Sequence, residues 1–182
     1  IGTGLTMIDA VLMLEARGFG GNVIALSRRG LVPHRHAPAP PPERPRDTRP
    51  ATGASILVRE VRRRAGEIGW RQAVDELRPF TQGMWANASV EERRRFVRHL
   101  RPWWDVHRHR LAPVVADRLA ALQASGRLRV CAGKTIAFEE GESGIVVEWR
   151  PRGQEHAERL LVQRIINCTG PQGDLARTGE PL

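Results

Sequence analysis

Several things are scarce in this chain, and each scarcity closes off a class of protein. No apolar run approaches the ~20 residues that would span a bilayer. Nor does the N-terminus carry the charged, apolar and cleavage regions of a signal peptide, so no membrane partner is expected and the cytoplasm is the expected compartment. Cysteine is limited to Cys131 and Cys168, both in apolar strand-like runs without metal-ligand spacing. That pattern suits buried thiols in a reducing compartment better than a disulfide framework. No serine sits in a nucleophile-elbow context, and the acid pairs Glu91-Glu92 and Glu139-Glu140 lie at a helix start and a turn, where solvation explains them. Hydrolytic chemistry therefore lacks a candidate. Six histidines are present, among them His34, His36, His99, His107 and His109, but His107 and His109 are two apart and would face different sides of a helix. A zinc helix needs them at i and i+4, so no metal site is expected.

Lysine is scarce too. Lys134 is the only one, so the formal charge of +9 comes from arginine almost alone, clustered in Arg59 to Arg64, Arg93 to Arg101 and Arg108 to Arg110. Nucleic acid is the first partner such charge suggests, yet no nucleic-acid motif or interleaved stacking aromatics accompany it. The clusters fall on helical patterns interspersed with Glu60, Glu67, Glu91 and Glu92, as solvated helix faces do.

With 41% hydrophobic content, 182 residues can bury a core and form one domain, or one domain carrying an insertion. Gly2-Thr3-Gly4-Leu5-Thr6 opens a helical pattern, with Leu5, Ile8, Val11 and Leu12 at helical spacing over roughly residues 4 to 17. Gly18, Gly20 and Gly21 stop it, and Val23-Ile24-Ala25-Leu26 follows as a short apolar run, the form of a parallel strand buried on both faces. Residues 33–52 are proline-rich and read as a linker. Residues 53–128 read as a helical insertion. One of its helices is announced by the capping-box spacing of Ser89 and Glu92, another by Pro113 at a first turn. The last third reverts to strands, with runs at Val130-Cys131, Ile136 to Phe138, Ile145 to Trp149 and Leu160 to Cys168, a β-meander followed by a core strand. Residues 1–32 and 129–182 thus form the α/β portion. Its first strand is expected to be truncated, because the chain begins inside the glycine turn and reads as an internal piece of a longer protein.

A glycine turn before a helix is what a dinucleotide site needs: the backbone approaches the pyrophosphate, and the helix N-terminus stabilises it. The third glycine of G-x-G-x-x-G is replaced by Met7. The strand after the helix ends in Ser27, Arg28 and Arg29, where a carboxylate would mark NAD. Arginine and a small polar group there favour the 2′-phosphate of NADPH. A basic module for nucleic acid or an acidic partner, with a purely structural glycine turn, is the alternative.

Four stretches taken together carry a family resemblance: Ile1 to Asp9, Ala25 to Pro33, Trp103 to Arg110 and Ile166 to Pro171. The chain resembles the bacterial FAD/NAD(P)-binding proteins of the YdhS type, whose flavin domain is related to those of FAD-dependent urate hydroxylase and the aspartate monooxygenase that makes nitrosuccinate. The resemblance implies a Rossmann-like fold and an FAD fingerprint N-terminal to this chain. It places Gly2, Thr3, Gly4, Leu5 and Thr6 in the second nucleotide turn, Ser27, Arg28 and Arg29 at the adenosine phosphate, and Thr169 and Gly170 where the chain returns toward the flavin domain. The expected activity is hydride transfer from NADPH to FAD, serving a small-molecule substrate in a monooxygenase-like enzyme.

Overall fold

A computed structural model describes residues 1–38, 48–50 and 53–170. The protein is mixed α/β, with a four-stranded mixed sheet in the order β1-β2-β3-β4. It divides into two compact units, one of residues 1–32 and 117–182, the other of 33–116. The second crossing between them falls inside a helix, α7 (Pro113–Ala124), rather than after it.

In the sheet unit, α1 (Leu5–Ala16) buries Met7, Ile8 and Val11, and Ile8 is its most enclosed side chain. β1 (Val23–Ser27) contributes Ala25 and Leu26 to the same core, and the α7 residues Leu119 and Leu122 complete it. Met7 is buried where the third glycine of a nucleotide fingerprint would lie. That glycine lets a helix approach its strand closely; here the position holds a core side chain instead.

Β-sheet pairing changes partway along one strand. β2 (Leu128–Gly141) runs parallel to β1 over Leu128 to Ala132, then pairs antiparallel with β3 (Gly144–Pro151) from Gly133 onward. The runs at Val130-Cys131 and Ile136 to Phe138, expected as two strands, are one, with a register shift between Thr135 and Ala137 absorbing the join. At the switch, a Cβ on Gly133 would lie 2.5 Å from the Trp149 ring, so only glycine lets that indole pack across the strand. β4 (Glu158–Val162) completes the antiparallel meander. The expected terminal strand from Leu160 to Cys168 is shorter than the apolar run suggested. Among the described residues, its backbone beyond Val162 is bonded to Ile1 alone, through Ile166 and Cys168, and one residue cannot build a ladder.

The other unit is helical: α2 (Ala54–Ile68), α3 (Trp70–Asp75), α4 (Thr81–Asn87), α5 (Val90–Arg95) and α6 (Arg101–Arg108). α5 runs into α6 through a widened five-residue turn, Phe96–Leu100, just before Pro102. Proline has no N–H to give to the carbonyl four residues back, and its ring crowds that carbonyl. Ser89 caps α5, its Oγ accepting from the Glu92 N–H at 3.2 Å. Glu92 departs from the capping-box pattern: its carboxylate accepts from the Ala54 N–H at 2.8 Å and so caps α2.

The expected linker is in part ordered structure. Leu111 donates to the His34 carbonyl at 2.8 Å and His36 donates to that of Leu111 at 2.8 Å, pairing this strap with the segment after α6. The most proline-rich part, residues 39–47, lies outside the described residues, as do 51–52 and 171–182. Both cysteines are free. Among the described residues no helix is long and apolar enough to cross a membrane, and no group of three or more His, Cys, Asp or Glu side chains could hold a metal ion.

Candidate nucleotide turn

The two glycines of the turn are glycine for different reasons. Gly2 has φ +108°, and a Cβ there would lie 2.4 Å from the Cys168 carbonyl oxygen. It is wedged between two segments: its N–H donates to the Leu26 carbonyl at 2.8 Å, while the Ile1 carbonyl accepts from the Cys168 N–H at 2.7 Å. Packing therefore accounts for Gly2. Gly4 is exposed, has an ordinary negative φ of −84°, and a Cβ there would meet no protein atom within 4 Å. Nothing inside the protein requires a glycine at that point.

Gly4 is also the N-cap of α1. It supplies no capping side chain, and the first turn holds no acidic residue. The first N–H groups of a helix have no intrahelical acceptor, and together they carry the positive end of the helix dipole. Leu5 and Thr6, which follow Gly4, are exposed. This edge of the turn thus offers backbone donors and positive potential to solvent with no internal anion to answer them.

Thr3, by contrast, is buried and engaged. Its hydroxyl donates to the Leu31 carbonyl at 2.5 Å, and it lies 2.8 Å from the Ser27 hydroxyl. A hydroxyl has one proton. With that of Thr3 committed to Leu31, Ser27 must donate to Thr3, while its own oxygen accepts from the Gly30 N–H at 3.0 Å. The chain Gly30 to Ser27 to Thr3 to Leu31 ties the end of β1 to the glycine turn. Ser27 consequently has no proton left for a ligand, and its part at an adenosine phosphate would be to shape the loop.

Arg28 and Arg29 follow directly. Arg28 is exposed, and among the described residues neither arginine has an ion-pair partner. Several of the other clustered arginines are committed. Arg63 and Arg64 pair with Glu67 at 2.5 and 3.1 Å, Arg64 also with Glu76 at 2.7 Å, and Arg95 with Glu91 at 2.7 Å. Arg110 is buried and holds Asp75 through two bonds of 2.9 and 3.0 Å. The strand end thus holds two adjacent cations without acids beside the glycine turn.

Thr169 is held in a local turn by Asn167, whose Oδ1 accepts from its N–H at 3.1 Å and its hydroxyl at 2.8 Å. Gly170 follows with φ +89°. The structure brings Gly2 against the Cys168 backbone, so this returning segment and the glycine turn are neighbours. Gly30 and Leu31 were missed from sequence; the signal was a glycine directly after the Arg28-Arg29 pair, at φ +62°.

The helical unit holds a second cluster that sequence pattern left scattered. The rings of His34, Trp70 and His107 meet with centroids 4.6 to 4.9 Å apart, and Arg71 and Arg110 lie over Trp70 at 4.3 and 5.2 Å. Burial first, then His107, Arg71 and Arg110, hold the His34 pKa below its ordinary value. His107 turns into this cluster while His109 remains exposed, so the two face different ways. No protein-family model matches the chain, and no curated protein or solved structure is significantly similar to it.

Proposed function

We propose that this chain is the NADPH-binding part of an FAD-dependent oxidoreductase, monooxygenase-like in type, with a Rossmann-like sheet unit. The observation that carries the reading is Gly4: a glycine that the protein's own packing does not need, at the uncapped start of a helix, is explained by a ligand backbone approaching there. The unpaired Arg28 and Arg29 at the end of β1 support NADPH over NADH, since a guanidinium binds a 2′-phosphate with charge-assisted hydrogen bonds. Gly4, Leu5 and Thr6 would take the pyrophosphate, and Arg28 and Arg29 the 2′-phosphate. Thr3 and Ser27 would hold the loop, and Thr169 and Gly170 would lie on the path toward the flavin domain. When bound, the nucleotide would supply a hydride for a flavin; the work of this chain would be to bind and orient it. The described residues contain one such turn, so no residue here is assigned to the flavin.

Calorimetric titration of NADPH and NADH into the chain and its Arg28→Ala variant tests this. A charge-assisted hydrogen bond contributes about 1.5–3 kcal/mol, so NADPH should bind at least about tenfold tighter, and Arg28→Ala should erase most of that preference. Equal affinities would refute the 2′-phosphate assignment. Binding that ignores nucleotide identity and falls steeply with salt would identify a basic phosphate-binding module instead.

A further inference from the structure

We infer that the helical unit carries a binding site of its own, for a compact aromatic carboxylate. Its helices line a half-open cavity of about 290 Å³, with Leu57, Leu77, Met84, Trp85, Phe96 and Trp104 as the apolar lining. That is close to the lower end of the range for pockets that hold small molecules, about 300–1,000 Å³. Pockets of this kind, mostly apolar with a few placed polar groups, are where small molecules bind.

Polar ties from α5 set the walls and leave the interior apolar. Glu92 accepts from the Ala54 N–H and pairs with Arg95, which joins α5 to α2 and answers the carboxylate's charge. Arg93 donates to the Trp85 and Ala86 carbonyls, each at 2.9 Å, and so joins α5 to the end of α4. Thr81 spends its proton on the Arg78 carbonyl. Glu92 is answered by Arg95, and Arg93, which has no carboxylate partner among the described residues, has its Nε and one terminal nitrogen spent on carbonyls and lies over the Trp85 ring. Arg108 is the less committed of the two arginines that line the cavity: it is exposed, its guanidinium touches only the His109 ring at 3.5 Å, and it has no carboxylate partner among the described residues. The ligand complementary to this arrangement has a flat apolar body and one anionic end.

Aromatic content favours a ring over an alkyl chain. Trp85 and Phe96 meet edge to face with centroids 6.0 Å apart, yet Trp85 is 46% exposed. A large aromatic left open beside a cavity is a surface that gains by being covered. The inference stands apart from the nucleotide reading, since every residue it uses lies in the helical unit.

The test titrates the whole chain with 3-phenylpropionate, 3-phenylpropanamide and 3-phenylpropylamine, by calorimetry and tryptophan fluorescence. The acid should bind about tenfold or more tighter than the amide, and the amine weakest. Arg108→Ala should bring the acid to the level of the amide, and Arg108→Lys should restore part of the difference. Met84→Trp, which fills the cavity, should abolish binding of all three while leaving NADPH binding unchanged. Equal binding of the three probes, an acid preference that survives Arg108→Ala, or no saturable binding of any probe would overturn the assignment. The probe series alone decides the charge question even if a variant fails to fold.

Discussion

Replacing Gly2 and Gly4 separately by alanine should separate stability from binding. At Gly2 the new methyl would sit 2.4 Å from the Cys168 carbonyl oxygen and 2.7 Å from its carbon, both backbone atoms, at φ +108°. A non-glycine residue held in such a conformation costs on the order of 1–3 kcal/mol. Relieving the clash moves Cys168 away and endangers the bonds from Cys168 to Ile1 and from Gly2 to Leu26, each about 1 kcal/mol. The total, roughly 3–5 kcal/mol, is a large share of the 5–15 kcal/mol that typically holds a domain. At Gly4 there is no clash and no positive φ, so the loss should stay below about 1 kcal/mol, the usual scale of an N-cap change. Urea unfolding followed by circular dichroism gives the stabilities, and NADPH titration of the folded variants gives the affinities. The expected result is a destabilised Gly2→Ala and a stable Gly4→Ala that binds NADPH poorly. Comparable stability losses in the two, or full NADPH affinity in Gly4→Ala, would refute the division of roles.

Three further outcomes follow from the helical unit. Arg110→Ala should cost about 2–3 kcal/mol, because it removes donors from the His107 and Arg71 carbonyls, while the half-exposed Asp75 turns to solvent; a loss under 1 kcal/mol in denaturant unfolding would contradict this. His34 is held below its ordinary pKa of 6.5, so the unfolded chain takes up its proton first. Stability from this group is therefore full above pH 6.5 and declines as the pH falls toward the folded value. Unfolding midpoints at pH 8 and pH 5.5 should show that decline, and His34→Phe should flatten it. Ser89→Ala should cost about 1 kcal/mol through α5 alone, whereas Glu92→Ala should loosen both α5 and α2, visible as faster amide exchange at Ala54.

Local chemistry was legible where one segment decided its own structure. The turn at Gly2 to Gly4, the helix from Leu5, the strand at Val23 and the Ser89 cap all follow from neighbouring residues, and each lies within a residue or two of its expected place. What was not legible depended on distant partners. Periodicity at Val130 and Ile136 could not reveal one strand, because the bulge near Thr135 interrupts the alternation that would have joined them. Apolar character at Ile165 to Cys168 suggested a strand, but a strand is defined by its neighbour. Glu92 looked like half of a capping box, and Ala54, its actual partner, lies 38 residues away. In the candidate site the glycines and arginines could be named from sequence. The burial of Thr3 and the commitment of the Ser27 proton could not, since both depend on the loop at Gly30 and Leu31.

The shared strand β2 has a consequence for how this protein can change. Its first part completes the parallel ladder beside the glycine turn and its second part founds the meander, so the two share one covalent register. Side chains alternate faces along a strand with period two, and a single inserted or deleted residue would turn one half inside out. The irregularity between Thr135 and Ala137 is the slack in that rod, the place where an odd residue can be taken up without inverting Leu128 on one side or unseating Trp149 on the other. Length variation in this region should therefore be tolerated at the bulge and in the hairpin tips and nowhere between, and a transplanted meander would have to bring Gly133 with it.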